Sequence, residues 1–68
     1  MTKEDIIAKV NAIDGLAAWE DGNLVCIEKA GEKKQAVADA IEETPGFPRV
    51  LKWVRSDESA GLAWFTLA

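Results

Sequence analysis

Leu16-Ala17-Ala18-Trp19-Glu20, then Asp21-Gly22, then Asn23-Leu24-Val25-Cys26-Ile27-Glu28 is the stretch that decides the fold. Asp-Gly between two apolar runs is the strongest short-range hairpin signal, because glycine supplies the positive φ that a tight turn needs. The stretch therefore predicts two antiparallel strands. Two registers stand open. A two-residue turn pairs Trp19 with Leu24, whereas a turn with a Gly22 bulge pairs Trp19 with Asn23. A one-residue slip changes which side chains share a face.

Upstream, Thr2 and Asp5 have the spacing of a capping box. Ile6, Ile7, Val10 and Ile13 follow at helical intervals, Asp5 and Lys9 form a favourable i, i+4 pair, and Gly15 is a natural stop. These predict a helix from Lys3 to Ile13. Downstream of the break at Gly31, Ala36, Val37, Ala40 and Ile41 make one apolar stripe of a helix from Glu32 to Glu43. Pro45 ends it, with Thr44 pushed out of helical geometry, and Pro45-Gly46-Phe47-Pro48 reads as a loop.

Arg49 to Ser56 and Leu62 to Leu67 read as strands on their β-branched and aromatic content, joined by the polar loop Asp57-Glu58-Ser59-Ala60-Gly61. If Val54 pairs with Ala63, Trp53 stands directly opposite Trp64. The expected fold is α+β: a two-layer sandwich in αββαββ order, helix–hairpin–helix–hairpin. Its four-stranded, mostly antiparallel sheet carries two helices on one face. Residues 1–68 make one small domain. Strand order is not encoded in local pattern.

Composition narrows the function. The chain has 68 residues, 49% of them apolar, and a net charge of −4. That acidity lacks the basic footprint of an autonomous nucleic-acid binder. With no histidine, Ser-His-Asp triads, Cys-His dyads and ordinary His metal sites are absent. One cysteine makes no internal disulfide and no thiolate zinc cluster. The charged start and the lack of an apolar run long enough for a membrane span lead to the expectation of a cytoplasmic protein with no membrane association.

Neither a phosphate-binding loop nor a dinucleotide fingerprint occurs, and no calcium loop spacing, so no cofactor or metal is expected. Cys26 alternates with apolar neighbours and reads as a small buried hydrophobe rather than a reactive thiol. Ser56 and Ser59 lack a base. The acidic pairs Glu20-Asp21, Glu42-Glu43 and Asp57-Glu58 read as solvated charges.

Two surfaces stand out against ordinary solvated charge and ordinary core. One is acidic. Asp39, Glu42 and Glu43 at i, i+3 and i+4 crowd one side of the second predicted helix, near the end where the macrodipole disfavours them. The other is aromatic and basic. Strand alternation puts Arg49, Leu51, Trp53 and Arg55 on one face, with Leu62, Trp64 and Thr66 beside them. Val50, Lys52 and Val54 share the other face with Ala63, Phe65 and Leu67. The Val50, Val54, Phe65 and Leu67 face matches the helices, which leaves Trp53, Trp64 and the arginines on the open face. In the opposite assignment the Trp face is the core, and Phe65 and Leu67 face solvent.

The expected function is binding rather than chemistry: a small non-enzymatic protein-interaction module, adaptor or inhibitor. It would act through Trp53, Trp64, Arg49, Arg55 and Leu51, through Asp39, Glu42 and Glu43 on a basic protein partner, or through both. In size and charge alone it is analogous to phage or mobile-element proteins that block a host nucleic-acid-handling machine. A second copy is a further candidate partner, forming a homodimer that covers the open face. The alternatives are a single-strand nucleic-acid binder with Trp53 and Trp64 as stacking platforms, and a small enzyme or enzyme subunit.

Overall fold

The computed structural model of the chain describes residues 2–44, 47 and 49–68. The elements run α1 (Lys3–Asn11), β1 (Ala17–Asp21), β2 (Leu24–Glu28), α2 (Lys34–Ala40), β3 (Leu51–Asp57) and β4 (Leu62–Leu67). The four strands form one antiparallel sheet in the order β1-β2-β4-β3. The last strand is thus inserted between the first hairpin and β3. No helix among the described residues is long and apolar enough to cross a membrane.

The predicted capping box starts α1. The Asp5 N–H donates to Thr2 Oγ1 and the Thr2 N–H donates to Asp5 Oδ2, each at 3.2 Å. Hydrogen bonds from Thr2 to the carboxylate, its backbone N–H foremost and then its side chain, hold the Asp5 carboxyl below its ordinary value. The helix ends at Asn11, two residues short of the predicted Ile13. The Asn11 amide turns onto Ala18 instead: its oxygen accepts from the Ala18 N–H at 2.8 Å, and its nitrogen donates to the Ala18 carbonyl at 3.1 Å. A side chain thus satisfies the outer edge of β1 as a neighbouring strand would.

The first hairpin turns one residue later than expected. Asp21 pairs with Leu24 and Trp19 with Cys26, which is neither of the two candidate registers. Gly22, at φ 61°, occupies the first central position of the turn, as a type II′ hairpin requires. The shift amounts to two residues in pairing, so Trp19 keeps the face it has in the tight-turn register.

The second helix is shorter than predicted. It spans seven residues, has no side-chain N-cap, and stops at Ala40 rather than Glu43. Glu42 takes φ 59° and the Glu43 N–H closes back on the Ala38 carbonyl. That is a Schellman-type end with Glu where glycine usually sits. The expected stop at Pro45 and the loop residues Gly46 and Pro48 lie outside the described residues.

Ile6 and Val10 of α1, Val37 and Ile41 at α2, and Ala18, Val25, Ile27, Leu51 and Ala63 of the sheet form the core cluster. Val50, Phe65 and Leu67 pack against it. Leu51, expected in the binding patch, is 2% exposed and belongs to this core.

Candidate protein-interaction surfaces

Register decides what each sheet face presents. On the face away from the core cluster, Trp19 pairs with Cys26, Cys26 with Trp64, and Trp64 with Arg55. One row therefore crosses all four strands. Cys26 is fully buried there, between an exposed Trp19 and a half-buried Trp64. Burial, and then the Asp21 carboxylate, push its thiol up from its ordinary value, so it is a protonated filler beneath the indoles. Trp64 donates from Nε1 to Asp21 Oδ2 at 2.8 Å. The Arg55 guanidinium carbon lies 4.6 Å from the Trp64 ring centroid, a cation–π contact.

Trp53 does not join this row, contrary to the sequence expectation. It pairs with Phe65, and the pairing then slips so that Arg55, not Trp53, meets Trp64. Val54 is the extra residue of a β-bulge, which reverses the alternation within β3. Trp53 and Trp64 are consequently on opposite faces. Lys52, assigned to the helix side from sequence, pairs with Thr66 on the Trp64 face. Val54, also assigned to the helix side, is 40% exposed.

On the core side, the shortness of α2 leaves a groove of about 640 Å³ between that helix and the β3–β4 hairpin. Ala38, Ala63, Val37 and Phe65 line it, and Trp53 walls it. Trp53 is 60% exposed and stands at the edge strand, where its indole also bounds a shallower hollow with Arg55 and Trp64. Its Nε1 donates to Ser56 Oγ at 2.7 Å. With that donor satisfied, what remains free is apolar ring. Phe47 is 76% exposed and bridges to Thr44, itself a groove residue.

The acidic patch is not a helical stripe. Only Asp39 lies in α2, where it accepts from Gln35 Nε2 at 2.7 Å. Glu42 is exposed beyond the helix end. Glu43 turns inward: its Oε1 accepts from the backbone N–H of Arg49 at 3.1 Å, of Val50 at 2.6 Å, and of Leu51. It fastens the start of β3 rather than facing a partner. Arg49 lies before β3, not within it, and so does not share the Trp64 face.

Of the residues singled out from sequence, only Trp64 and Arg55 are brought together. The structure adds Trp19, Asp21 and Lys52 to their face and makes Trp53 the wall of a separate groove. The Asp21-Gly22 motif marked that corner of the molecule, but the role of Asp21 as acceptor for Trp64 depends on β4 crossing to β2. No group of three or more metal-ligating side chains gathers among the described residues. No known protein family, curated protein or solved structure matches this chain.

Proposed function

We propose that this protein is a non-enzymatic interaction module, an adaptor or inhibitor, that takes an apolar side chain of a partner protein into the groove beside Trp53. The carrying observation is the 60% exposure of an indole whose only polar atom is already bonded within the chain. Tryptophan beside an apolar pocket is the typical anchor of a binding hot spot. The small side chains of Ala38 and Ala63 leave room at the floor. Glu32 and Glu58 at the rim, with a net charge of −4, favour basic residues flanking that anchor, against the opposing Lys29 and Lys34. A buried lone thiol suits a reducing cytoplasm.

Two observations speak against the nucleic-acid reading. One ring face of Trp64 carries Arg55, which restricts base stacking, and the net charge repels a phosphate backbone.

The test is affinity capture with wild type, Trp53→Ala and Trp19→Ala. The expected partner is held by wild type and Trp19→Ala but lost on Trp53→Ala, a hot-spot cost of about 2 kcal/mol or more. A partner held equally by wild type and Trp53→Ala would remove the groove from consideration.

A further inference from the structure

We infer that the sheet face opposite the core pairs with a second copy of this chain, about a two-fold axis running along the strands. This face is distinct from the Trp53 groove, and the inference does not rest on the function proposed for that groove.

The charges and rings on this face form an ordered array. One row across the sheet reads Trp19, Cys26, Trp64, Arg55. The next row toward the Gly22 turn begins with Asp21 on β1, which pairs with Leu24, and ends with Lys52 on β3, which pairs with Thr66. Trp19, Asp21, Lys52 and Arg55 are all exposed. Asp21 and the uncovered indole are thus on one outer strand and both cations on the other, with Asp57 of β3 and Glu28 of β2 in the row beyond, on the far side of Arg55 from Lys52.

A two-fold axis parallel to the strands lays β3 of one copy over β1 of the other. Lys52 then meets Asp21 of the second copy, and Arg55 meets the indole of Trp19. Both contacts occur twice by symmetry. Arg55 would exchange a one-sided contact with Trp64 for a place between two indoles, the arrangement cations favour on aromatic rings. The strands of the two sheets run nearly parallel, within the roughly 30° seen in aligned sheet packing.

The other face-to-face axis, perpendicular to the strands, lays β3 over β3. It brings the two Arg55 guanidinium groups together and stacks Trp19 on Trp19 with no cation. That repulsion along the outer strands weighs against the arrangement, and the attractive pair it gains, Lys52 with Asp57, uses a carboxylate already bonded to the Ser59 hydroxyl and the Ala60 N–H. The array therefore sets acid on cation and cation on ring about the first axis, and sets Arg55 on Arg55 about the second.

Salt acts on this pairing in two directions, because it screens both the paired charges and the mutual repulsion of two chains at −4. Charge exchange is the sharper test. Sedimentation equilibrium should show a reversible wild-type dimer. Lys52→Glu and Asp21→Lys should each weaken it about tenfold or more, since each replaces two attractive contacts with two repulsive ones. A one-to-one mixture of those two variants should dimerise close to wild type, because both cross-contacts are then attractive. Trp53→Ala should dimerise normally. Circular dichroism checks that each variant is folded; should Asp21→Lys not fold, Lys52→Glu alone decides.

A wild type that stays monomeric to about 1 mM, a range where even weak contacts register, would overturn the inference. So would a dimer indifferent to Lys52→Glu. Rescue of Lys52→Glu by Asp57→Lys rather than Asp21→Lys would overturn the axis, since Asp57 meets Lys52 only in the perpendicular arrangement.

Discussion

Both halves of the chain run helix then hairpin, yet they pack unequally. In the first half, α1 has nine residues and a complete capping box, lies against β1 and β2, and sends Asn11 to the edge of β1. In the second half, α2 has seven residues, no side-chain cap, and a groove between it and its hairpin. A helix of seven residues rises about 10 Å, little more than two strand spacings, and cannot roof a four-stranded sheet with its partner. The same succession of elements therefore gives a closed core in one half and an aromatic groove in the other. The difference lies in helix length and capping, not in topology.

The largest expected effect tests whether the first half is the closed one. Ile6 is fully buried in the core cluster, so Ile6→Ala should cost about 2–5 kcal/mol in urea unfolding. Val37 lines the groove at 7% exposure, and Val37→Ala should cost nearer 1.5 kcal/mol, on about 0.8 kcal/mol for each methylene-sized group lost. Equal costs would mean that the groove is as tightly filled as the core, and the contrast between the halves would fail.

Next in size is the fastening of β3. Glu43→Ala leaves the Arg49, Val50 and Leu51 N–H groups without their shared acceptor, and should cost about 1–3 kcal/mol. Glu43→Gln keeps one acceptor oxygen and should cost less. Hydrogen exchange should then speed up at residues 49–51 while the α1 amides keep their protection. Loss of protection in α1 to the same degree would show that the halves unfold as one unit.

The smallest effect is acid sensitivity. The Asp5 carboxyl is depressed by its bonds from Thr2, and that of Asp57 by bonds from the Ser59 hydroxyl and then the Ala60 amide. A depressed carboxyl contributes stability above its unfolded value near pH 4, and loses it as pH falls through the folded value. The difference in urea midpoint between wild type and Asp5→Asn should therefore be present near neutrality and shrink below about pH 4. A difference that grows on acidification would contradict the capping box as the cause.

Much of the fold was legible locally. The α1 cap is carried by Thr2 and Asp5, three residues apart. The hairpins are marked by Gly22 and by the polar loop before Gly61. Alternation put Phe65 and Leu67 on one face, which one of the two open assignments turned toward the helices, and they pack there. The end of α2 was less legible: Ala40, Ile41, Glu42 and Glu43 are all tolerable helix residues, and nothing nearby announces that Glu42 will turn to positive φ. Glu43 leaves the helix to bond the 49–51 backbone, a partner six to eight residues away that no local pattern announces.

The site divided along the same line. Tryptophan and arginine content identified Trp53, Trp64 and Arg55 as binding-type residues, because residue type carries chemistry by itself. Which of them share a surface is a matter of register, and period-2 alternation holds only while pairing is unbroken. The bulge at Val54 adds one residue to β3 and moves Trp53 to the face opposite Trp64. Its signal is the match of Leu51 and Trp53 to the core-side Leu67 and Phe65 at one end of the hairpin, and of Arg55 to Trp64 at the other. That is a contest between cross-strand contacts rather than a local propensity. Element type, strand content and the hairpin corner were thus set by the sequence within a few residues. Strand order, the insertion of β4 beside β2, the Asp21–Trp64 bond and the separation of the two tryptophans were decided by tertiary structure. They depend on which distant strands bury the most apolar surface together.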